Sequence, residues 1–182
     1  MAEFEKALEH TLIWEGGYQR SSRDSGNYNS RRELIGTNYG ISAPVLEAYL
    51  GRVPTVEDMR SLSMSVVNEI YRQYWDEVRA SDVQDQSVAG LLFDMAVNHG
   101  PRSASRLVQH LVGVKTDGII GPVSIKAINE ADPEDLLRRM VESRRSLYAS
   151  IVARRPEALV FAKGWERRAL SFLPDDNEDK TA

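Results

Sequence analysis

A mainly α-helical chain, built of many short helices around one small irregular or β-hairpin segment near residues 18–43, is what the sequence predicts. Three observations lead there. Apolar residues recur at helical spacing through most of the chain. Glycine and proline punctuate those stretches at short intervals. Residues 18–43 alone lack the helical period and are rich in Gly, Ser, Asn, Arg and Asp.

The first helix is expected from about Ala2 to Trp14. Phe4, Leu8, Thr11 and Glu15 fall on one face, and Gly16-Gly17 closes it, with glycine taking the left-handed conformation of a C-cap. After the polar segment, with GTNYGIS (36–42) as its ordered return, helical pattern resumes near Pro44 and ends at Gly51. Pro54-Thr55 opens another short stretch. Val67, Ile70, Tyr71, Tyr74, Trp75 and Val78 then make an amphipathic stripe. From Val88 to Asn98 the chain is apolar nearly all round, the mark of a buried central helix stopped by Gly100-Pro101. Asp94 inside it needs a partner, and a structural hydrogen bond is the expected one. Ala104, Leu107, Val108 and Leu111 mark the next helix. Gly121-Pro122 starts a short one with proline at its first position, and Asp132 caps a longer one running through Tyr148 and Ile151. A final helical region holds Trp165 and Phe172. The organisation expected is a catalytic lobe over 1–86, a helical lobe over 87–173 sharing the same core, and a polar, disordered tail over 174–182.

Composition narrows the chemistry. The 182 residues contain no cysteine, which excludes disulfides and thiolate catalysis. His10, His99 and His110 lack metal-ligand spacing, so neither a metal nor another cofactor is expected. The net charge of −4 argues against nucleic acid as a partner. Residues 1–100 carry nine Lys+Arg against fifteen Asp+Glu, while residues 101–182 carry fourteen against twelve. That asymmetry reads as solvated helix faces or as attraction to an anionic polymer such as cell wall. No run approaches the roughly 18 apolar residues of a membrane span. The N-terminal stretch MAEFEKALEHTLIWEGG lacks the signature of a signal peptide, so synthesis in the cytoplasm is expected, with release to the wall by a holin or a secretion system. A monomer is the expected state.

Glu15 stands out. A carboxylate at a helix C-terminus opposes the macrodipole, and the face it shares with Phe4 and Leu8 desolvates it. A general acid needs that setting to keep its proton near neutral pH. Its alternative is a surface residue at a frayed helix end. Asp24, in the polar loop, is the nearest candidate for a second, ionised carboxyl, although Asp-Ser-Gly is equally a good turn sequence. Thr37 offers a hydroxyl to hold a water. Tyr18 and Tyr39 are the aromatics expected to face a ligand, since sugar rings stack on aromatic faces. Asn98 and His99 end the central helix, where they either cap it or line a cleft.

Five motifs then occur in order: WEGGY at 14–18, GTNYGIS at 36–42, IYRQYWDEV at 70–78, DMAVNHG at 94–100 and DGIIGPVSIKAIN at 117–129. Together they resemble glycoside hydrolase family 108, N-acetylmuramidases of lysozyme-like architecture, the last two resembling the peptidoglycan-binding segment usually fused to the catalytic part. The resemblance implies an α+β lysozyme-like fold, peptidoglycan glycan strands as substrate, and Glu15 as the catalytic glutamate of Glu-Gly-Gly. The pattern Glu15, eight residues, Asp24, then Thr37 is similar to the catalytic triad of phage lysozymes. The implied reaction is cleavage of the β-1,4 bond between N-acetylmuramic acid and N-acetylglucosamine; Tyr18, Tyr39, Asn98 and His99 are the substrate-binding residues expected from their own chemistry and position. The sequence departs from the family between Asp24 and Thr37. A shorter glycine-rich connection is usual there, whereas SGNYNSRRELIG brings in Glu33 as a rival second carboxylate. A lytic transglycosylase and a non-catalytic wall-binding or secretion-assisting protein are the alternatives. Phage endolysin and bacterial secretion-linked muramidase both fit a leaderless hydrolase.

Overall fold

The computed structural model describes residues 1–174 and is mainly helical. Nine α-helices occur among the described residues: α1 (Phe4–Leu12), α2 (Ala43–Leu50), α3 (Val56–Arg60), α4 (Met64–Glu77), α5 (Gln86–His99), α6 (Pro101–Leu111), α7 (Pro122–Glu130), α8 (Pro133–Arg154) and α9 (Leu159–Leu170). The expected tail falls almost wholly on 175–182, outside the described residues. The chain divides into two compact units, Leu8–Gln73 and Met1–Ala7 with Tyr74 onward, whose boundaries fall inside α1 and α4.

Side-chain caps start three of the helices. The Thr55 hydroxyl accepts from the Asp58 amide while the Asp58 carboxylate accepts from the Thr55 amide, a reciprocal capping box that starts α3. Asp85 and Asp132 cap α5 and α8 by accepting from the Val88 and Asp135 amides, and Pro122 and Pro133 occupy first-turn positions. One expected end differs. Gly16 and Gly17 are not in the left-handed region, and α1 stops at Leu12. Its last turn tightens instead, the Trp14 amide donating to the Thr11 carbonyl and the Glu15 amide to the Leu12 carbonyl.

In the 8–73 unit, residues 18–41 form no sheet. They make three isolated antiparallel bridges, Gln19 with Thr37, Tyr28 with Leu34, and Asn38 with Ile41. A ladder is replaced by side-chain hydrogen bonds around Asn27, which is fully buried. Asn27 and Gln19 exchange two amide hydrogen bonds of 3.0 Å, and the Asn27 backbone carbonyl accepts from the amides of Ile35 and Gly36. A buried amide with its donors and acceptors engaged fixes a loop that has little apolar surface of its own.

In the other unit, α5 is the central helix, buried continuously from Val88 to Ala96. It packs on α6 and α8, and α8 packs on α9. Phe4, Trp75 and Phe93 form an edge-to-face cluster with centroids 5.6–5.8 Å apart. Gln109 of α6, also buried, organises residues 117–124: its Nε2 donates to Asp117, to the Ile119 carbonyl and to Ser124, and its Oε1 accepts from the Gly118 amide.

Asp94 finds the partner its burial requires, in two guanidiniums. Arg144 Nη2 of α8 lies 2.6 Å from Asp94 Oδ2, and Arg168 of α9 donates through Nη2 at 2.7 Å and Nε at 3.1 Å. Burial pushes the Asp94 carboxyl up, but the two cations outweigh it and hold the group below the usual carboxylate range. Removing one member of a buried ion cluster strands the others without solvent. Asp94→Ala is therefore expected to cost about 3–5 kcal/mol, read as a lower urea midpoint at unchanged slope.

His99, at the end of α5, is half-buried against the Tyr148 ring, 5.6 Å between centroids. Burial, then the nearby Arg144 cation, push its imidazole down to about 4. A histidine depressed in the folded state is neutral in both states above about pH 6.5. As pH falls from there towards 4, the unfolded chain takes up the proton first, so stability is lost across that window. Thermal melts between pH 7 and pH 5 are expected to show about 1–2 kcal/mol from this group, and His99→Gln should flatten that slope.

Candidate active site

The carboxyl singled out by the sequence lies just past the last turn of α1. Glu15 is half-buried, while Phe4, Leu8 and Thr11, predicted on the same face, are buried. The tightened turn after Leu12, rather than the α1 periodicity, leaves Glu15 half-buried beyond the helix end.

The Gly40 backbone approaches Glu15 closely. Asn38 and Ile41 exchange both amide–carbonyl hydrogen bonds around Tyr39-Gly40, and both central residues have positive φ (48° and 72°), as a type I′ turn requires. A Cβ at Gly40 would collide with the Glu15 carboxylate, 2.7 Å from its Cδ, and would stand 2.8 Å from the Tyr71 hydroxyl. The acid is thus seated on the one residue type whose missing side chain leaves room for it. The buried Tyr71 of α4 donates to the Tyr39 carbonyl at 2.8 Å and holds the turn in place. The buried Asn38 anchors it from the other side through the Met59 carbonyl at 3.0 Å. Beside Glu15, the Trp14 indole N–H is buried and has no hydrogen-bond acceptor among the described residues.

Tyr18 is half-buried. Its hydroxyl donates to the Ile35 carbonyl at 3.0 Å, its edge lies where a Cβ on Gly36 would be, and the Arg60 guanidinium sits 5.0 Å above the ring. Tyr39 contributes its backbone to the turn and keeps a half-exposed ring. Asp24 is exposed and accepts from the Gly26 amide at 2.9 Å, capping the short 3-10 turn Ser25–Asn27. The Thr37 hydroxyl donates to Asn27 Oδ1. Glu33 accepts from Asn29 Nδ2 at 2.7 Å. Glu15, Tyr18, Asp24, Thr37 and Tyr39 all belong to the 8–73 unit. Asn98 and His99 belong to the other. There Asn98 donates back to the Asp94 carbonyl at 3.2 Å, and His99 packs on Tyr148.

Sequence reasoning misses Asn27, Gly40 and Tyr71. Asn-Tyr-Gly inside GTNYGIS is a usable signal for a turn with two positive φ angles. Tyr71 reads only as core in an amphipathic stripe, and nothing in the sequence singles out Asn27 from Asn29, Asn38 and the neighbouring serines.

The model of the family "Glycosyl hydrolase 108" matches residues 8–100, over half of the chain. This chain belongs to the glycosyl hydrolase 108 family. A second model, "Predicted Peptidoglycan domain", matches residues 103–170. The DMAVNHG motif lies inside the first match and DGIIGPVSIKAIN inside the second. The solved structure of Brucella abortus SagA is similar over 95% of this chain and 97% of that one, at 27% identity and a TM-score of 0.74. No curated protein matches. The two family matches make the chain a glycoside hydrolase directed at peptidoglycan, and hence at the cell wall. No described helix is long and apolar enough to cross a membrane.

Seating of Glu15 on Gly40 is testable against an internal control. Gly51 has a similar φ of 64° and open space within 4 Å of where its Cβ would stand, whereas Gly40 faces the carboxylate. Both alanine substitutions are expected to lose about 1 kcal/mol of stability through the left-handed backbone. Only Gly40→Ala should also lower the rate of wall clearing, by about 100-fold for a displacement near 1 Å.

Proposed function

We propose that the chain is an N-acetylmuramidase cleaving the β-1,4 bond between N-acetylmuramic acid and N-acetylglucosamine, with Glu15 as general acid. The observation that carries this reading is the close approach of Glu15 to the Tyr39-Gly40 turn. A half-buried carboxyl lies there against the Gly40 backbone, in a turn that the Tyr71 hydroxyl fastens. Glu15 gives its proton to the glycosidic oxygen as the bond to the muramic C1 breaks. A water adds to C1 on the opposite face and loses its proton to Asp24, which also offsets the positive character developing on the sugar. Thr37 has spent its hydroxyl proton on Asn27, so its oxygen lone pairs remain to accept from that water. Glu33 is bound to Asn29, which favours Asp24 for the second role. Inversion follows from a directed water in this scheme. In this reading Tyr18 and Tyr39 contact the glycan. The 103–170 segment retains the polymer.

A second reading draws on one observation. Asp24 and Thr37 both take part in the hydrogen bonding of the 18–37 loop, as a cap and as a donor to Asn27. If that is their whole role, Glu15 acts alone. It then protonates the leaving oxygen and takes the proton of the muramic C6 hydroxyl as that oxygen closes on C1, which is lytic transglycosylation.

Clearing of purified walls by wild type, Glu15→Gln and Asp24→Ala, followed by mass spectrometry of the fragments, separates these routes. Glu15→Gln is expected to lose about 10²–10⁴-fold in rate, Asp24→Ala to lose at least about tenfold, and the fragments to end in reducing muramic acid. Anhydro-sugar products with an active Asp24→Ala establish the transglycosylase. Reducing-end glucosamine establishes a glucosaminidase, and undiminished function in Glu15→Gln a binding protein.

A further inference from the structure

The start of α9 exposes three consecutive large apolar side chains, Leu159 at 64%, Val160 at 79% and Phe161 at 59% of their full surface. Isolated exposed leucines are ordinary, but a contiguous group is not. Around them stand the exposed cations Arg154 and Arg155 at the end of α8, and Lys163 and Arg167 on α9. The one exposed acid between them is Glu157, since Glu166 is paired with Arg145 at 2.7 Å. The patch is thus cationic on a chain whose net charge is −4. Phe161 lies 5.9 Å from the Trp165 ring, which itself stacks on Tyr148 at 5.0 Å, so the protruding aromatic is backed by a packed aromatic row.

We infer that this face of α9 docks on an anionic lipid surface, with Leu159, Val160 and Phe161 entering the interface and Arg154, Arg155, Lys163 and Arg167 meeting the headgroups. Apolar side chains ringed by cations are the composition of an interfacial helix. The charges act within about a Debye length, so the acidic balance elsewhere in the chain is largely screened. Two other occupants fit less well. A second copy joined by a two-fold axis would set this cationic patch against itself. A glycan strand stacks on flat aromatic faces, and Leu159 and Val160 offer none.

The test is co-sedimentation of the full chain with vesicles of equal phosphatidylglycerol and phosphatidylcholine, against vesicles of phosphatidylcholine alone, at about 0.1 M salt. The expected result is binding at least about tenfold tighter to the anionic vesicles, weakening steeply as salt rises. Leu159→Ser with Phe161→Ser, and separately Lys163→Glu with Arg167→Glu, should each remove about tenfold or more. Far-UV circular dichroism and melting confirm that these surface variants remain folded. Absence of binding, or binding indifferent to headgroup charge, overturns the proposal. So does self-association that the Leu159/Phe161 variant abolishes, which assigns the face to a second copy. Binding that appears only after residues 175–182 are removed overturns it too, giving the patch to the acidic end of the same chain.

Discussion

One carboxylate ties three helices together. Asp94 sits in the middle of α5 with no solvent contact, and its two partners come from α8 and α9. Coulomb attraction in a poorly polarisable interior is strong, but so is the cost of removing each charge from water. The arrangement is tolerable only because the shared Asp94 carboxylate accepts from Arg168 and lies in close ion-pair contact with Arg144. Arg144 also donates to the Tyr148 hydroxyl, so the ion cluster runs into the aromatic row of Tyr148 and Trp165. The depressed His99 is a by-product, a ring kept neutral first by its burial and then by the neighbouring Arg144 cation. The ions set which helices pair and in what register, while the apolar faces of α5, α6 and α8 supply the bulk of the burial.

The 8–73 unit solves a different problem with different means. It has to present a half-buried acid on a segment with few apolar residues to pack. It does so by satisfying polar groups locally: the Asn27–Gln19 amide pair, the Thr37 donor bond and the Tyr71 hydroxyl on the Tyr39 carbonyl. Such networks are rigid when complete, because each missing partner would leave a desolvated group. Rigidity is what the proton-donor role proposed for Glu15 requires, since general acid catalysis falls off quickly with misplacement.

Much of this is legible in the sequence, and the reasons are local. The 3.6-residue period places Phe4, Leu8, Thr11 and Glu15 on one face, and the structure buries the first three while Glu15 follows the helix end half-buried. The unbroken apolar run identifies α5. Asp132 and Pro122 mark helix starts because their side chains act on the nearest turn. The need of Asp94 for a partner is readable, but not the partners, which lie 50 and 74 residues downstream. The Gly16-Gly17 cap fails because glycine permits the left-handed region without enforcing it, and the chain tightens after Leu12 through its own Thr11 and Leu12 carbonyls. The 18–43 segment is recognisably non-helical, yet its replacement of a hairpin by isolated bridges around Asn27 rests on contacts such as that with Thr37, ten residues away. Gly40 is visible as part of a turn. Its role as the seat of Glu15 is not, because a missing side chain leaves no trace in an apolar pattern.

The Tyr39-Gly40 turn also has a bearing on when the protein becomes active. Glu15 leaves the ribosome before both its neighbours, Gly40 emerging 25 residues later and Tyr71, which fastens the turn, 56 residues later. At about 5–20 residues per second, the acid waits several seconds for the neighbours that shape it. A nascent chain broken off before α4 therefore carries Glu15 and Gly40 without the Tyr71 hydroxyl that fastens the turn.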